Sequence, residues 1–261
     1  IYPAILFFGL VDRYPQVAEI ASPLSHRDGT MSMRDIMYET ADRFYHAVQA
    51  MAGRDGRPDF DYTAFDFARN QPVWNGRWTE PDAAAGIAWL EYMAYVTFGE
   101  ERFLQAADRA MEYLNSLYVN PFYEVLLPYG AYLAARLNAE LDRQYDLDKL
   151  LNWCFGPSDA RPGWGVVTGR WGRYAVDGLV GSLTDGGGYA FAMNTFQMAA
   201  ALVPIARYDS RYARSLGKWI LNLATNARLF YTKYLPRQNQ SSDDWSGATR
   251  NIVAYEGLRK E

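Results

Sequence analysis

The sequence is poor in several residue types on which common functions depend. Its one cysteine, Cys154, excludes an intrachain disulfide and a cysteine-based zinc site, and leaves the redox compartment open. The only histidines are His26 and His46, too few for a histidine-rich metal centre, and no metal or other cofactor is expected. Basic charge is neither abundant nor clustered. A net charge of −4 and a pI near 5.3 give no positive field for a polyphosphate, so nucleic acid is excluded as an expected partner. Long apolar runs are also missing. The stretch Ile5 to Val11 falls far short of the roughly 20 residues a membrane span needs, and no basic segment precedes it, so it reads as core and no membrane partner is expected. The chain starts at Ile1 without an initiator methionine and stops at Glu261, inside what reads as a new helix from Arg250. This sets the expectation of a piece of a larger catalytic module.

What is abundant is aromatic. The rings make up 16% of the chain, with 20 tyrosines and 8 tryptophans, several of them in Gly-rich connections and off helix-core spacing. Rings on loops suit the flat apolar faces of sugars while their polar tips hydrogen-bond hydroxyls. The competing use of such rings is to plug the joints between helices.

Helical periodicity recurs and strand-like alternation is scarce. It predicts helices over Asp35 to Met51, Pro81 to Phe98, Glu100 to Leu117, about Glu124 to Leu137, Asp146 to Phe155, about Tyr189 to Tyr208 and Ser210 to Phe230. Two junctions share a pattern. Phe98-Gly99-Glu100-Glu101-Arg102-Phe103 and Tyr208-Asp209-Ser210-Arg211-Tyr212 each join a small-residue-rich helix to a more charged one. Tyr145-Asp146 is a weaker copy. The first helix of each pair is a candidate inner helix and the second an amphipathic outer one, as a helical toroid or solenoid requires. Long connections at 53–79, 156–188 and 232–249 separate the pairs, and connections of that length are usually functional. The second is crowded with glycine among Trp164, Trp171 and Tyr174, carries no phosphate-loop pattern, and has room for short β pieces around Trp164 to Thr168.

Alternating inner and outer helices, with aromatic and acidic residues at the entrances to the inner ones, resemble the six-hairpin glycosidase-like superfamily across residues 31–261. That resemblance implies an all-α fold of helical hairpins forming an (α/α) toroid or partial toroid with long aromatic and Gly-rich loops, residues 1–261 being a single domain. About four hairpins are visible where a closed toroid has six, consistent with an incomplete module. It further implies a cleft at the end formed by the loops leading into the inner helices, and an oligosaccharide or polysaccharide as partner. A secreted or periplasmic setting follows from that substrate alone. The oligomeric state stays open.

Trp74-Asn75-Gly76-Arg77-Trp78-Thr79-Glu80-Pro81-Asp82 places Trp74, Arg77 and Trp78 beside Glu80 and Asp82 at the mouth of an inner helix. Glycoside hydrolysis needs a carboxylic acid to protonate the leaving oxygen and a carboxylate to attack or to activate water. Glu80 is the first candidate. The same residues also read as a helix start, Thr79-x-x-Asp82 being close to a capping box. Glu124 after Pro121-Phe122-Tyr123, Asp185 in Thr184-Asp185-Gly186-Gly187-Gly188-Tyr189, and Asp244 before Trp245 stand at equivalent entrances, each open to the capping or turn reading as well. Two of Glu80, Asp82, Glu124, Asp185 and Asp244 should face each other, about 5–5.5 Å apart for retention or about 6.5–9.5 Å for inversion. Trp164, Arg170, Trp171, Tyr189 and Asn194 join Trp74, Arg77 and Trp78 as candidate sugar contacts.

The expected activity is that of a glycoside hydrolase. Two alternatives stand beside it. A polysaccharide lyase would draw its base from Tyr189, Tyr174 or His26 and its cation from Arg77 or Arg170. A non-catalytic glycan-binding or scaffold domain would use the rings alone. A terpene-cyclase toroid is disfavoured because no aspartate-rich diphosphate site falls on an expected helix.

Overall fold

The computed structural model describes residues 1–22, 31–53, 56–184, 188–231, 233–234, 239 and 257–260. The candidates His26, Asp185 and Asp244 lie outside them. The described residues are mostly helical, 58% of them in helices, with some sheet. It divides into two compact units, Ile1–Leu117 and Tyr118–Glu261. No described helix is long and apolar enough to cross a membrane.

In the first unit, α1 (Tyr2–Arg13) buries Ile5, Phe8 and Val11 at helical spacing, so the apolar opening of the chain, expected only as core, is a helix. α2 (Met33–Ala50) starts on a capping box in which Ser32 Oγ accepts from Asp35 N at 3.2 Å and Asp35 Oδ2 accepts from Ser32 N at 2.7 Å. These bonds hold the Asp35 carboxyl below its ordinary range.

α3 (Ala83–Phe98) is buried from Ala84 through Ala94, which its sequence, apolar on all faces but for Glu91, permits. It stops at Gly99, whose φ of 75° is the left-handed cap that glycine adopts without a Cβ clash. α4 (Glu101–Ser116) folds back along it and buries one stripe, including Phe103, Ala107, Ala110 and Leu114, while Glu101, Gln105 and Glu112 stay exposed. The buried and amphipathic characters expected of the two helices are thus visible in this hairpin. β1 (Ala64–Asp66) and β2 (Gln71–Val73) form an antiparallel ribbon within the connection ahead of α3.

The second unit repeats the asymmetry. α5 (Leu126–Leu141) is buried over most of its length, and α6 (Leu147–Phe155) packs against it as a shorter amphipathic partner. Asn138 clasps their link by donating to Tyr145 O at 2.8 Å and accepting from Tyr145 N at 2.9 Å. α7 (Ala192–Leu202) packs against α5, and α8 (Ala213–Asn226) packs against α7.

The Gly-rich connection forms sheet, so all-α is inexact. β3 (Trp164–Val166), β6 (Val180–Ser182), β7 (Tyr189–Phe191) and β8 (Leu258–Arg259) make a four-stranded antiparallel sheet in that order, with β4 (Arg170–Trp171) and β5 (Tyr174–Ala175) as a separate hairpin. Tyr189 to Phe191 is therefore a strand ahead of α7, because pairing with β6 claims its backbone before the helix begins. Leu258 and Arg259 are likewise paired with β7 and do not continue a helix. Gly181 sits so close to the neighbouring strand that a Cβ would collide with the Tyr189 carbonyl oxygen.

Candidate functional site

The expected entrances of α3, in the first unit, and of α5 and α7, in the second, fall at least in part within the described residues. At the mouth of α3, Gly76 takes a φ of 78° and Asn75 Oδ1 accepts from Arg77 N at 2.9 Å and Trp78 N at 3.2 Å, closing a side-chain turn. Thr63 Oγ1 donates to Trp78 O at 2.6 Å and accepts from Asn75 N at 3.2 Å, while Glu80 N donates to Tyr62 O at 2.9 Å. The loop is thereby tied to the segment before β1. On this frame Trp74 is 66% exposed and Trp78 40%, with the Arg77 guanidinium 4.9 Å from the centre of the Trp78 ring. One face of Trp78 thus carries a cation, and Trp74 is the more open ring.

The carboxylates beside them differ in setting. Glu80 is half-buried. Asp82 is 1% exposed and occupies the N-cap position of α3, yet its side chain makes no cap bond to the helix. The Thr79-x-x-Asp82 box does not form, because α3 begins only at Ala83 and leaves Asp82 at the boundary. Burial, followed by the charges of Asp61, Asp59 and Asp82, pushes the Tyr113 phenol far above its ordinary pKa. Tyr62 is raised for the same reasons, burial first and Asp59 next. Asp59, Asp61 and Tyr113 were not among the sequence candidates. The alternation Asp59-Phe60-Asp61-Tyr62 was the available signal, but Tyr113 comes from α4 and reaches the group only through the hairpin. A carboxyl closed off from solvent beside a phenol, at a helix N-terminus whose dipole favours negative charge, can bind or pass a proton next to exposed rings.

In the second unit the entrances of α5 and α7 meet. The Tyr123 and Trp164 rings lie 5.5 Å apart, Trp164 and Phe191 5.4 Å, and Phe191 and Tyr189 4.5 Å. The register aligns Trp164 with Ser182 and Ser182 with Tyr189, which puts these side chains on one face of the sheet. Asn120 fixes the approach to α5, donating to Trp153 O at 2.9 Å and Pro157 O at 2.8 Å and accepting from Phe122 N at 3.0 Å. Glu124 follows, half-buried and with a φ of 51°, a left-handed conformation that costs a non-glycine residue about 1–2 kcal/mol. It does not cap α5, whose N-cap is Val125.

Trp164 is 5% exposed and Asn194 1%, and neither the Trp164 Nε1 nor the Asn194 Oδ1 has a hydrogen-bond partner among the described residues. The same holds for Gln197 Oε1, three positions along α7, a residue the sequence reading passed over. The cluster therefore unites Trp164 and Tyr189 of the sequence candidates, with Asn194 one turn into the adjoining helix. Trp171 and Arg170 belong instead to the β4–β5 hairpin. Trp171 is 5% exposed, so it offers no open face, and Arg170 Nη2 donates to Arg173 O at 2.8 Å inside the hairpin.

Among the described residues no group of three His, Cys, Asp or Glu side chains is arranged to hold a metal ion. No family model matches the chain, and neither the curated proteins nor the solved structures contain a significant match to it.

Proposed function

We propose that the chain is a carbohydrate-active protein, a glycoside hydrolase built from helical hairpins of the (α/α)-toroid kind, with residues 1–261 supplying part of such a module. The α3 mouth carries this reading. Two exposed tryptophans stand there on a hydrogen-bonded turn, beside a half-buried Glu80 and a buried Asp82 that does not cap its helix. Exposed indole faces suit the C–H faces of pyranose rings, and carboxyls in partly dry settings are what acid and base catalysis need. Glu124, Asp185 and Asp244 remain candidate carboxylates of the second unit's own entrances.

The test measures binding and turnover together on a panel of neutral and uronic oligosaccharides, with Glu80→Gln and Asp82→Asn as variants. Reducing-end release by the wild type, lost in either variant while binding persists, supports hydrolysis. Binding without turnover in the wild type leaves a glycan-binding domain, an ultraviolet-absorbing unsaturated product makes the chain a lyase, and no binding to any member ends the carbohydrate reading.

A further inference from the structure

The second unit contains a cleft that the reading above does not use. It has a volume of about 780 Å³, within the range of roughly 300–1,000 Å³ typical of small-molecule sites. Its residues come from α6, the β3 segment, the Asp177-Gly178 turn and α8. Leu151, Phe155, Val166, Leu216 and Trp219 give it apolar walls.

The aromatic wall is fixed in advance of any ligand. Trp219 Nε1 donates to Gly178 O at 3.0 Å, and the Phe155 and Trp219 rings meet edge to face at 5.1 Å. Gly178 has a φ of 87°, and a Cβ there would lie 3.1 Å from the indole, so both the turn and the close approach demand glycine. Asn226 Nδ2 holds the same turn through Asp177 O at 2.9 Å.

The polar lining sets the chemistry. Asp148 faces Arg211 at 4.0 Å and Asp177 Oδ1 accepts from Gly169 N at 2.7 Å, so both carboxylates already have partners and a cation finds no free one. Among the described residues Lys218 is the only cation lining the cleft, against those two acids, which gives an anion no net attraction. Asn152 and Asn222 offer neutral hydrogen bonds. Tyr212 also lines the cleft, but its hydroxyl is closed off from solvent, so the neutral donors that an acceptor on a bound molecule can reach are the Asn152 and Asn222 amides, both at exposed positions.

We propose that this cleft is a binding site for an uncharged, largely apolar ring molecule carrying a hydrogen-bond acceptor. The site is independent of the carbohydrate reading and stands or falls separately from it.

The probe is 6-propionyl-2-(dimethylamino)naphthalene, a neutral two-ring fluorophore whose carbonyl is the acceptor and whose emission shifts to the blue in apolar surroundings. The full chain should bind it saturably at one site with a blue shift. Ser215→Trp and Asn222→Trp each place a large ring in the cleft from exposed positions on α8, and at least one should weaken binding by tenfold or more. Leu221→Trp, on the same helix but outside the lining, should leave it unchanged. Asn152→Leu or Asn222→Leu should weaken the carbonyl probe about three- to tenfold and leave 2-(dimethylamino)naphthalene, which lacks the carbonyl, unaffected. No saturable binding, wild-type affinity in both cleft-filling variants, or equal weakening by Leu221→Trp overturns the site. Equal behaviour of the two probes toward both Asn→Leu variants overturns the acceptor part of the proposal.

Discussion

Trp74 and Trp164 both lie in long connections ahead of a largely buried helix, yet Trp74 is 66% exposed and Trp164 5%. The connection in the first unit forms only the β1–β2 ribbon, whereas the one in the second adds strands to a four-stranded sheet. A ribbon leaves ring faces in solvent; a sheet beside a helix supplies a wall against which they pack. Aromatic content in a loop is therefore ambiguous until the backbone pairing of that loop is known. The consequence is a division of roles: the rings at the α3 mouth are available to a ligand, and those at the α5 and α7 entrances are mainly structural.

The largest expected effect breaks this comparison on its buried side. Trp164→Ala removes a ring in contact with Tyr123 and Phe191 and leaves a hole between sheet and helix. A loss of about 3–5 kcal/mol in urea unfolding is expected. A loss below about 1 kcal/mol would mean that the ring is not part of the packing and would return it to the set of open sugar contacts.

A smaller effect separates the two units by their buried polar groups. In the first, Glu91 is fully buried on α3, neither of its carboxylate oxygens has a hydrogen-bond partner among the described residues, and its pKa is pushed well up by burial. The charge of Arg102 offsets this in part and that of Asp42 adds to it. Arg102 is itself committed elsewhere, donating to Asp42 Oδ1 at 2.6 Å and to Glu100 Oε2 at 2.7 Å. In the second unit the buried Asn194 and Gln197, whose side-chain oxygens have no hydrogen-bond partner among the described residues, do not titrate at any ordinary pH. A carboxyl held above its usual range binds its proton more tightly folded than unfolded. Its contribution to stability is complete below the unfolded value, about 4.3, and is lost as pH rises through the folded one. Glu91→Gln does not titrate. Its stability relative to wild type should match near pH 4 and rise to an advantage of about 1–2 kcal/mol at pH 8, read from urea midpoints. A gap that stays constant with pH would show that Glu91 is not protonated in the fold.

The α3–α4 hairpin was legible in the sequence because its signals are local. An apolar helix, a Gly99 stop and a striped partner fall in sequence order, as do the Asn138 to Asp146 link and α6. The sheet was not legible beyond a hint at Trp164 to Thr168. Its strands are short and glycine-rich, so they carry little alternation, and β7 pairs with a strand at 258–259, far along the chain. Long-range contact hid the candidate site in the same way. Tyr113 joins Asp59, Asp61 and Asp82 only once α4 has folded back. Glu91 was overlooked because the helix around it is uniformly apolar, a setting in which one carboxyl changes the pattern little and the energetics a great deal.

The smallest effect on stability is expected at Trp74, and it gives the sharpest test of the exposed side. Its ring is open to solvent, and the turn that follows is held by Asn75, Thr63 and the backbone of Tyr62, none of which depends on the indole. Trp74→Ala should therefore change unfolding stability by less than about 0.5 kcal/mol, as an exposed substitution away from caps and buried networks does. If the α3 mouth grips sugar, the same variant should weaken oligosaccharide binding by at least tenfold in calorimetry, because removing a stacking ring at a binding surface costs more than about 1 kcal/mol. Trp78→Ala should weaken binding less, since Arg77 already covers one face of that ring. A stable Trp74→Ala variant that binds glycan as the wild type does would take the sugar contact away from this loop, and with it the reason for placing Glu80 and Asp82 beside the reacting bond.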